Sequence, residues 1–261
     1  MTYNATSGHI ESWELNKTMS KIISILDDVR GLWTLQEITG TAIGDSGIND
    51  NDFTASASVA TWFSHANRCT ALNFNGTTQY LYRANDIDFD FGDGAGNDTA
   101  FSTIACIKPS AVASRTVIAK YDLTAASEAR EWKVFFDANG YPTIELYDES
   151  ADAYIGRQQT ALYTTGVWST LMTTYDASET SAGCKIYVNG VQVDNGNHQG
   201  AVYNSMDVVN TNLYGGCTED AAGAQAEFFQ GDMCFLGVAA KELSARECHN
   251  LNILLRGLIG V

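Results

Sequence analysis

Proline is nearly absent, with 2 in 261 residues, and only 18% of residues are charged. That composition excludes a proline-rich or highly charged disordered tail. Basic side chains are scarce too: 15 Lys and Arg face 31 Asp and Glu, a net charge of −16. Nucleic acid and anionic membrane surfaces both reward clustered Lys and Arg, so neither is expected as a partner. No apolar run approaches the roughly 18 residues of a membrane-spanning helix. The start, MTYNATSGHIESWELNK, has neither a basic opening nor an apolar stretch, so no signal peptide is expected and assembly would be cytoplasmic. The cysteines at 69, 106, 184, 217, 234 and 248 form no C-x-x-C pair and meet no His at metal spacing. They read as buried free thiols. The four histidines lie near no Ser or Cys nucleophile motif, which argues against acyl transfer.

What is present is mostly strand and turn. Cys184-Lys-Ile-Tyr-Val-Asn-Gly-Val-Gln-Val193 alternates around Asn189-Gly190, a pair that tolerates the positive φ of a type I′ hairpin. Ile186, Val188, Val191 and Val193 should share a core face, with Lys185, Tyr187 and Gln192 toward water. Further strands are expected at 32–36, 70–74, 79–83, 101–107, 116–120, 132–136, 143–147, 168–175 and 233–239. A second Asn-Gly, at 139–140, can join 132–136 to 143–147. Short strands at this density predict a sandwich or barrel.

Both ends change period. Residues 1–12 are polar and read as extended. Met19, Ile22, Ile23, Leu26 and Val29 then recur at helical spacing, with Gly31 able to close the helix. Near the other end Ser244-x-x-Glu247 forms a capping box ahead of Leu251, Leu254, Leu255 and Leu258, so a terminal helix should dock on the sandwich. The expected organisation is an arm and amphipathic helix over 1–30 and one β domain over 31–261.

The order of motifs resembles laminin-G-like, concanavalin-A-like domains. GLWTLQEITGTAIGDSGIND is similar to their opening strand and loop, ALNFNGTTQYLYR to an F-x-G strand pair, and FSTIACIKPS to an F-T-I strand. WSTLMTTYDAS with KIYVNGVQV, and the closing FFQGDMCFLGVAAKELSARE, complete the set across residues 31 to about 250. The resemblance implies an all-β, two-sheet antiparallel jelly roll. It leaves function open, because this fold serves lectins, hydrolases, adhesion modules and virion proteins alike.

Glucanases of this fold place closely spaced acids on one strand, and a retaining pair needs carboxyls about 5 Å apart. The nearest approach is Glu145-Leu-Tyr-Asp148-Glu149, where Asp148 falls on the opposite face, so no catalysis is expected. Asp86-x-Asp88-x-Asp90-x-x-Asp93-Gly94 lacks the Gly and Glu that an EF-hand requires and reads as a solvated acidic loop. The loop carrying Asp45, Asn49, Asp50 and Asp52 is where relatives hold Ca²⁺, making Ca²⁺ the one cofactor candidate. The relatives' closing strand often adds an Asp, where this chain has Cys234. Glycan stacking would use aromatics in polar segments, namely Trp62, Tyr154 and Tyr203; Trp33, Trp132 and Trp168 read as core.

Two functions follow. The first is a non-enzymatic virion structural protein of a tailed phage, a decoration or other surface protein. Its stripe of Met19, Ile22, Ile23, Leu26 and Val29 would pack on virion proteins or a second copy, leaving the sandwich free to touch host glycans. The alternative is a secreted or cell-surface carbohydrate-binding module.

Overall fold

The structure, a computed structural model, describes residues 12–35, 37, 40–56, 61–65, 69–124 and 128–259. Within them the strands assemble into two sheets, and their pairing is antiparallel apart from one bridge, Glu219 to Asp122. The eight-stranded sheet runs in the order Val191–Gln192, Cys184–Val188, Ser169–Tyr175, Phe101–Ala111, Gln230–Ala239, Cys69–Asn75 and Thr61–His65. Val29–Trp33 pairs alongside Gln230–Ala239. The eleven-stranded sheet runs Gly196–Asn197, Ala153–Gln158, Pro142–Asp148, Ala129–Phe136, Arg115–Asp122, Leu213–Gly215, Leu81–Arg83, Phe53–Ala55 and Ala42–Ile43. Thr218–Glu219 and Gln225–Ala226 complete it. This is the expected jelly-roll sandwich.

Alternation along the strands builds the layers. Phe101, Ala105, Ile107, Leu171 and Ile186 of one sheet meet Ile118, Trp132, Val134, Ile144 and Leu146 of the other in the main core. The indole N–H groups of Trp33 and Trp132 donate to the carbonyls of Asn51 (2.7 Å) and Phe89 (3.0 Å), so both rings are buried without an orphaned donor. The intervening side chains of the eight-stranded sheet, including Ile104, Cys106, Met172, Tyr187 and Phe235, point outward into a second core. Two helices, α1 (Ser12–Leu26) and α2 (Ala245–Ile259), close that core with Ile22, Leu26, Leu251, Leu255 and Leu258. α2 starts as expected: Ser244 Oγ accepts from the Glu247 amide, and the Glu247 carboxylate accepts from the Ser244 amide at 2.8 Å.

Several expectations are corrected. α1 stops at Leu26, where Asp27 takes a left-handed conformation (φ 64°) and returns its amide to the Ile23 carbonyl, so Gly31 plays no part in ending it. Val29 belongs to a strand, which straddles the boundary expected after residue 30. The stripe of Met19, Ile22, Ile23, Leu26 and Val29 packs on the chain's own sheet and α2, with Ile22 and Leu26 fully buried. It is therefore not left over for another subunit. In the hairpin, Asn189 and Gly190 both have positive φ (52° and 74°) as the turn type demands. Yet Val191 is 62% exposed while Tyr187 is buried, because the hairpin tip overhangs the sandwich and the helices cover the face expected to be wet. Cys106, Cys184, Cys217, Cys234 and Cys248 are buried thiols, as expected; the Cys69 side chain lies outside the described residues.

Leu26→Ala is expected to destabilise the chain by about 2–5 kcal/mol, the range for a fully buried leucine. The readout is the denaturant midpoint together with the oligomeric state. An assembly that falls apart while the stability of its subunits is unchanged would return the stripe to an intersubunit role.

Candidate functional site

With α1 and α2 across the eight-stranded sheet, the outer face of the eleven-stranded sheet is the broad face that no described helix covers. Residues directly opposite one another across a ladder project to the same side. The register therefore defines one outward row: Thr54, Tyr82, Tyr214, Ala119, Lys133, Glu145 and Gly156. Tyr121, Arg130, Tyr147 and Tyr154 flank it. A bulge sets Glu131 aside, and this brings Arg130 and Lys133 to the same face despite their odd spacing.

Glu145 is the centre. One carboxylate oxygen meets His198 Nε2 at 2.6 Å, and the other lies 3.5 Å from Lys133 Nζ. The Lys133 ammonium also sits 4.3 Å over the rings of Tyr121 and Phe135. Gly156, opposite Glu145, has no room for a Cβ, which would fall 1.9 Å from the Ile144 carbonyl oxygen. The His198 amide donates to the Gly156 carbonyl, and the bare glycine lets the imidazole cross toward Glu145. Tyr154 lies against that imidazole (4.8 Å between centroids) and is stacked on Tyr147 at 6.0 Å and 15°. Burial alone would raise the pKa of Glu145, but Lys133 and His198 hold it below the ordinary carboxylate value. The same burial, together with the neighbouring Glu145 charge, drives the Tyr121 hydroxyl pKa upward.

The described residues do not give Glu145 the surroundings of a glycosidase acid. A glycosidase acid needs a raised pKa and a second carboxyl at its side. Glu145 has the opposite shift. Glu149 is clamped bidentately by Arg130, with 2.8 Å from Nε and 2.7 Å from Nη2, and the guanidinium itself lies 3.9 Å over Tyr147. Asp148 is buried and accepts from Ser150 Oγ and the amides of Ala151 and Asn204, a turn-building role. On this face Tyr121, Tyr147, Lys133 and Glu145 are buried, and the rings of Tyr154 and His198 beside them are half-buried.

Of the residues expected to bind glycans, the structure brings only Tyr154 to this face. Tyr203 donates its hydroxyl to Asp98 at 2.6 Å, as Tyr175 does, and packs against the main core as a loop anchor. Trp62 falls on the strand Thr61–His65 at the far edge of the other sheet, and its side chain lies outside the described residues. Lys133, Tyr121, Tyr147 and His198 were not singled out from sequence. Strand parity would have found Lys133 and Tyr147, since each alternates with core residues on its strand.

Asp45, Asn49, Asp50 and Asp52 do not converge as ligands. Asp45 Oδ1 accepts from the amides of Leu32 and Gly47, both at 2.8 Å, and Oδ2 from Asn51 at 3.1 Å. Asp52 accepts from the Asp45 amide, Asn49 reaches the Val29 carbonyl, and Asp50 supplies a left-handed turn residue (φ 54°). Among the described residues no three His, Cys, Asp or Glu side chains are grouped to hold a metal ion. Of the acids of 86–94, Asp93 is exposed on a turn as a solvated loop would have it, while the other three are engaged. Asp86 caps a short 3₁₀ turn and pairs with Arg83, Asp88 meets Arg30, and Asp90 is nearly buried against Lys120.

Residues 75–249 match the family described as the concanavalin A-like lectin/glucanases superfamily, and the chain belongs to that family. No curated protein matches the sequence. Among solved structures, the binding domain of Paraclostridial Mosquitocidal Protein 1 superposes with a TM-score of 0.62 at 12% identity, covering 87% of this chain and 52% of that one. Domain 4 of AbnA, a GH43 extracellular arabinanase from Geobacillus stearothermophilus in complex with arabinotriose, gives 0.58 at 13%, covering 86% and 98%. A structure of botulinum neurotoxin type C, whose cell entry depends on two ganglioside molecules, gives 0.57 at 13%, covering 91% and 53%. The chain thus spans about half of the toxin structures it matches. Identities this low show a shared fold.

Two outcomes follow from the geometry. Because Asp45 already serves backbone amides, the melting temperature should be the same in chelator and in millimolar Ca²⁺; a rise with Ca²⁺ would restore this loop as a metal site. Glu145, held below its ordinary 4.5, stabilises the folded state above that pH and loses its contribution as pH falls through the lowered value. Glu145→Gln should therefore flatten the acid limb of the stability profile, and an unaltered limb would refute the ion network.

Proposed function

We propose that this protein is a non-catalytic glycan-binding module whose ligand lies on the outer face of the eleven-stranded sheet. The observation that carries the reading is the half-buried Tyr154 ring, backed by the buried Tyr147 and set against His198, with Glu145 beneath that imidazole. Saccharides present C–H faces that pack on aromatic rings and hydroxyls that hydrogen-bond to charged acceptors. The shared fold with an arabinanase domain complexed to arabinotriose and with ganglioside-dependent toxin structures supports the same reading. Display on a phage particle has no such support in the fold, now that the helical stripe is accounted for within the chain.

A glycan array followed by calorimetry on the best binder tests this. Tyr154→Ala should weaken binding about tenfold, the equivalent of losing one ring contact of ~1.4 kcal/mol. Glu145→Gln should weaken it as well, with circular dichroism unchanged. The wild type should release no reducing ends from that glycan. Failure to bind any glycan, or turnover abolished by Glu145→Gln, would overturn the proposal.

A further inference from the structure

The same outer face carries a second aromatic cluster, four strands from Glu145 along the outward row. At a strand spacing of about 4.8 Å, Tyr82 and Glu145 lie ~19 Å apart. Tyr80 organises the cluster, with ring centroids 6.0 Å from Tyr82, 6.1 Å from Tyr214 and 6.2 Å from Phe228. Tyr82 is 38% exposed although its strand neighbour Leu81 is fully buried, so its ring is offered to solvent from a rigid base. The polar groups at the edge are amides and a carboxylate. Tyr214 donates its hydroxyl to Glu219, Asn212 Nδ2 donates to that hydroxyl at 3.0 Å, and Gln225 Nε2 reaches Glu219 at 3.3 Å. Asp122 pairs with Glu219 across the ladder and adds a second acid. Arg115 touches the cluster at the Phe228 carbonyl, which its Nη1 shares with the Gly76 carbonyl.

We propose that Tyr82, with Tyr80 beside it and Glu219 and Gln225 at the Tyr214 edge of the same cluster, is a second saccharide platform, specific for uncharged sugar units. The ring takes the C–H face of one unit, and the carboxylate and amide take its hydroxyls. An acidic edge repels sialic or uronic acid units, so charge selects the neutral class. A proline-rich peptide could also stack on tyrosines, but prolines bring no N–H or O–H donor to the carboxylate at the edge. The inference rests on the reading that this face binds saccharides, and it is separable from the placement of the first ligand at Tyr154.

The test is calorimetry and NMR titration of the full chain with neutral trisaccharides (arabinotriose, cellotriose, maltotriose and mannotriose), with sialyllactose, and with a decaproline peptide. Wild type should take two molecules of one neutral trisaccharide. Tyr82→Ala should weaken one of the two affinities about tenfold and leave the other intact, while Tyr154→Ala does the converse. Glu219→Gln, which removes one charged acceptor, should weaken the neutral ligand less than Tyr82→Ala does and should relax the exclusion of sialyllactose. One site that only Tyr82→Ala removes would support this platform and overturn the placement at Tyr154. One site that Tyr82→Ala leaves intact would overturn the second platform and spare the first. Preference for sialyllactose or decaproline at Tyr82 would overturn the ligand class, and no binding to any trisaccharide would overturn the inference.

Discussion

The eight-stranded sheet is buried on both faces, and that constraint arranges the rest of the molecule. One side of Phe101–Ala111 packs into the sandwich through Ala105 and Ile107, and the other packs under the helices through Ile104 and Cys106. A sheet apolar on both sides cannot stand in water, so α1 and α2 are parts of the domain rather than appendages. Lys241 pins them together: its ammonium donates to the Ile25 carbonyl in the last turn of α1 and to Glu247 in the first turn of α2, at 3.1 and 2.8 Å. A cation at the C-terminus of one helix and an anion at the N-terminus of the other both follow the helix dipoles. Covering one outer face leaves the outer face of the eleven-stranded sheet as the one over which no described helix lies.

The sandwich also holds a charge in its interior. Lys120 points inward between Trp132 and Leu213 and is fully buried. Its three N–H donors go to Asp90, to Glu131 at 2.7 Å and to the Val209 carbonyl at 3.0 Å. Glu131 uses its other oxygen to accept the Phe91 amide at 2.6 Å. Such a network costs desolvation, and a hydrophobic trio would serve stability as well or better. What it adds is position: the segments around residues 90 and 209 are both fastened to the sheet. Met206, three residues before Val209, is fixed in turn by Asp98, which also ties down Tyr175 and Tyr203.

The fold was legible where a local rule sufficed. Asn189-Gly190 announced a type I′ turn, Ser244 and Glu247 a helix start, and alternating apolar residues most long strands. Ala153–Gln158 escaped because Gly156, Arg157 and Gln158 break its apolar pattern, though Gly156 is needed there for close backbone approach. Leu213–Gly215 is too short to carry a period. Tyr187 and Val191 exchanged roles because the covering of a face depends on elements some 60 residues away. The site was less legible than the fold for the same reason. The acids at 145, 148 and 149 invite a reading along one strand, whereas Lys133, Glu145, Tyr154 and His198 meet only through the register of neighbouring strands. The bulge at Glu131 then shifts parity within one of those strands, which period-two reasoning cannot foresee.

That register also decides what kind of ligand the face can welcome. The described cations of this cluster already have anions: Lys133 has Glu145, whose other oxygen meets the His198 ring, while Arg130 holds Glu149, Glu128 and Asp152. A ligand carboxylate arriving here would have to displace one of these partners, and it would approach a chain whose net charge is −16. A hydroxyl needs no displacement. An ionised carboxylate has about four acceptor sites and an ammonium three donors, so a hydroxyl that reached the buried Glu145–Lys133 pair would not have to break it. In the proposed site a neutral hydroxyl would therefore add to the network that holds the face rigid, whereas an anion would compete with it.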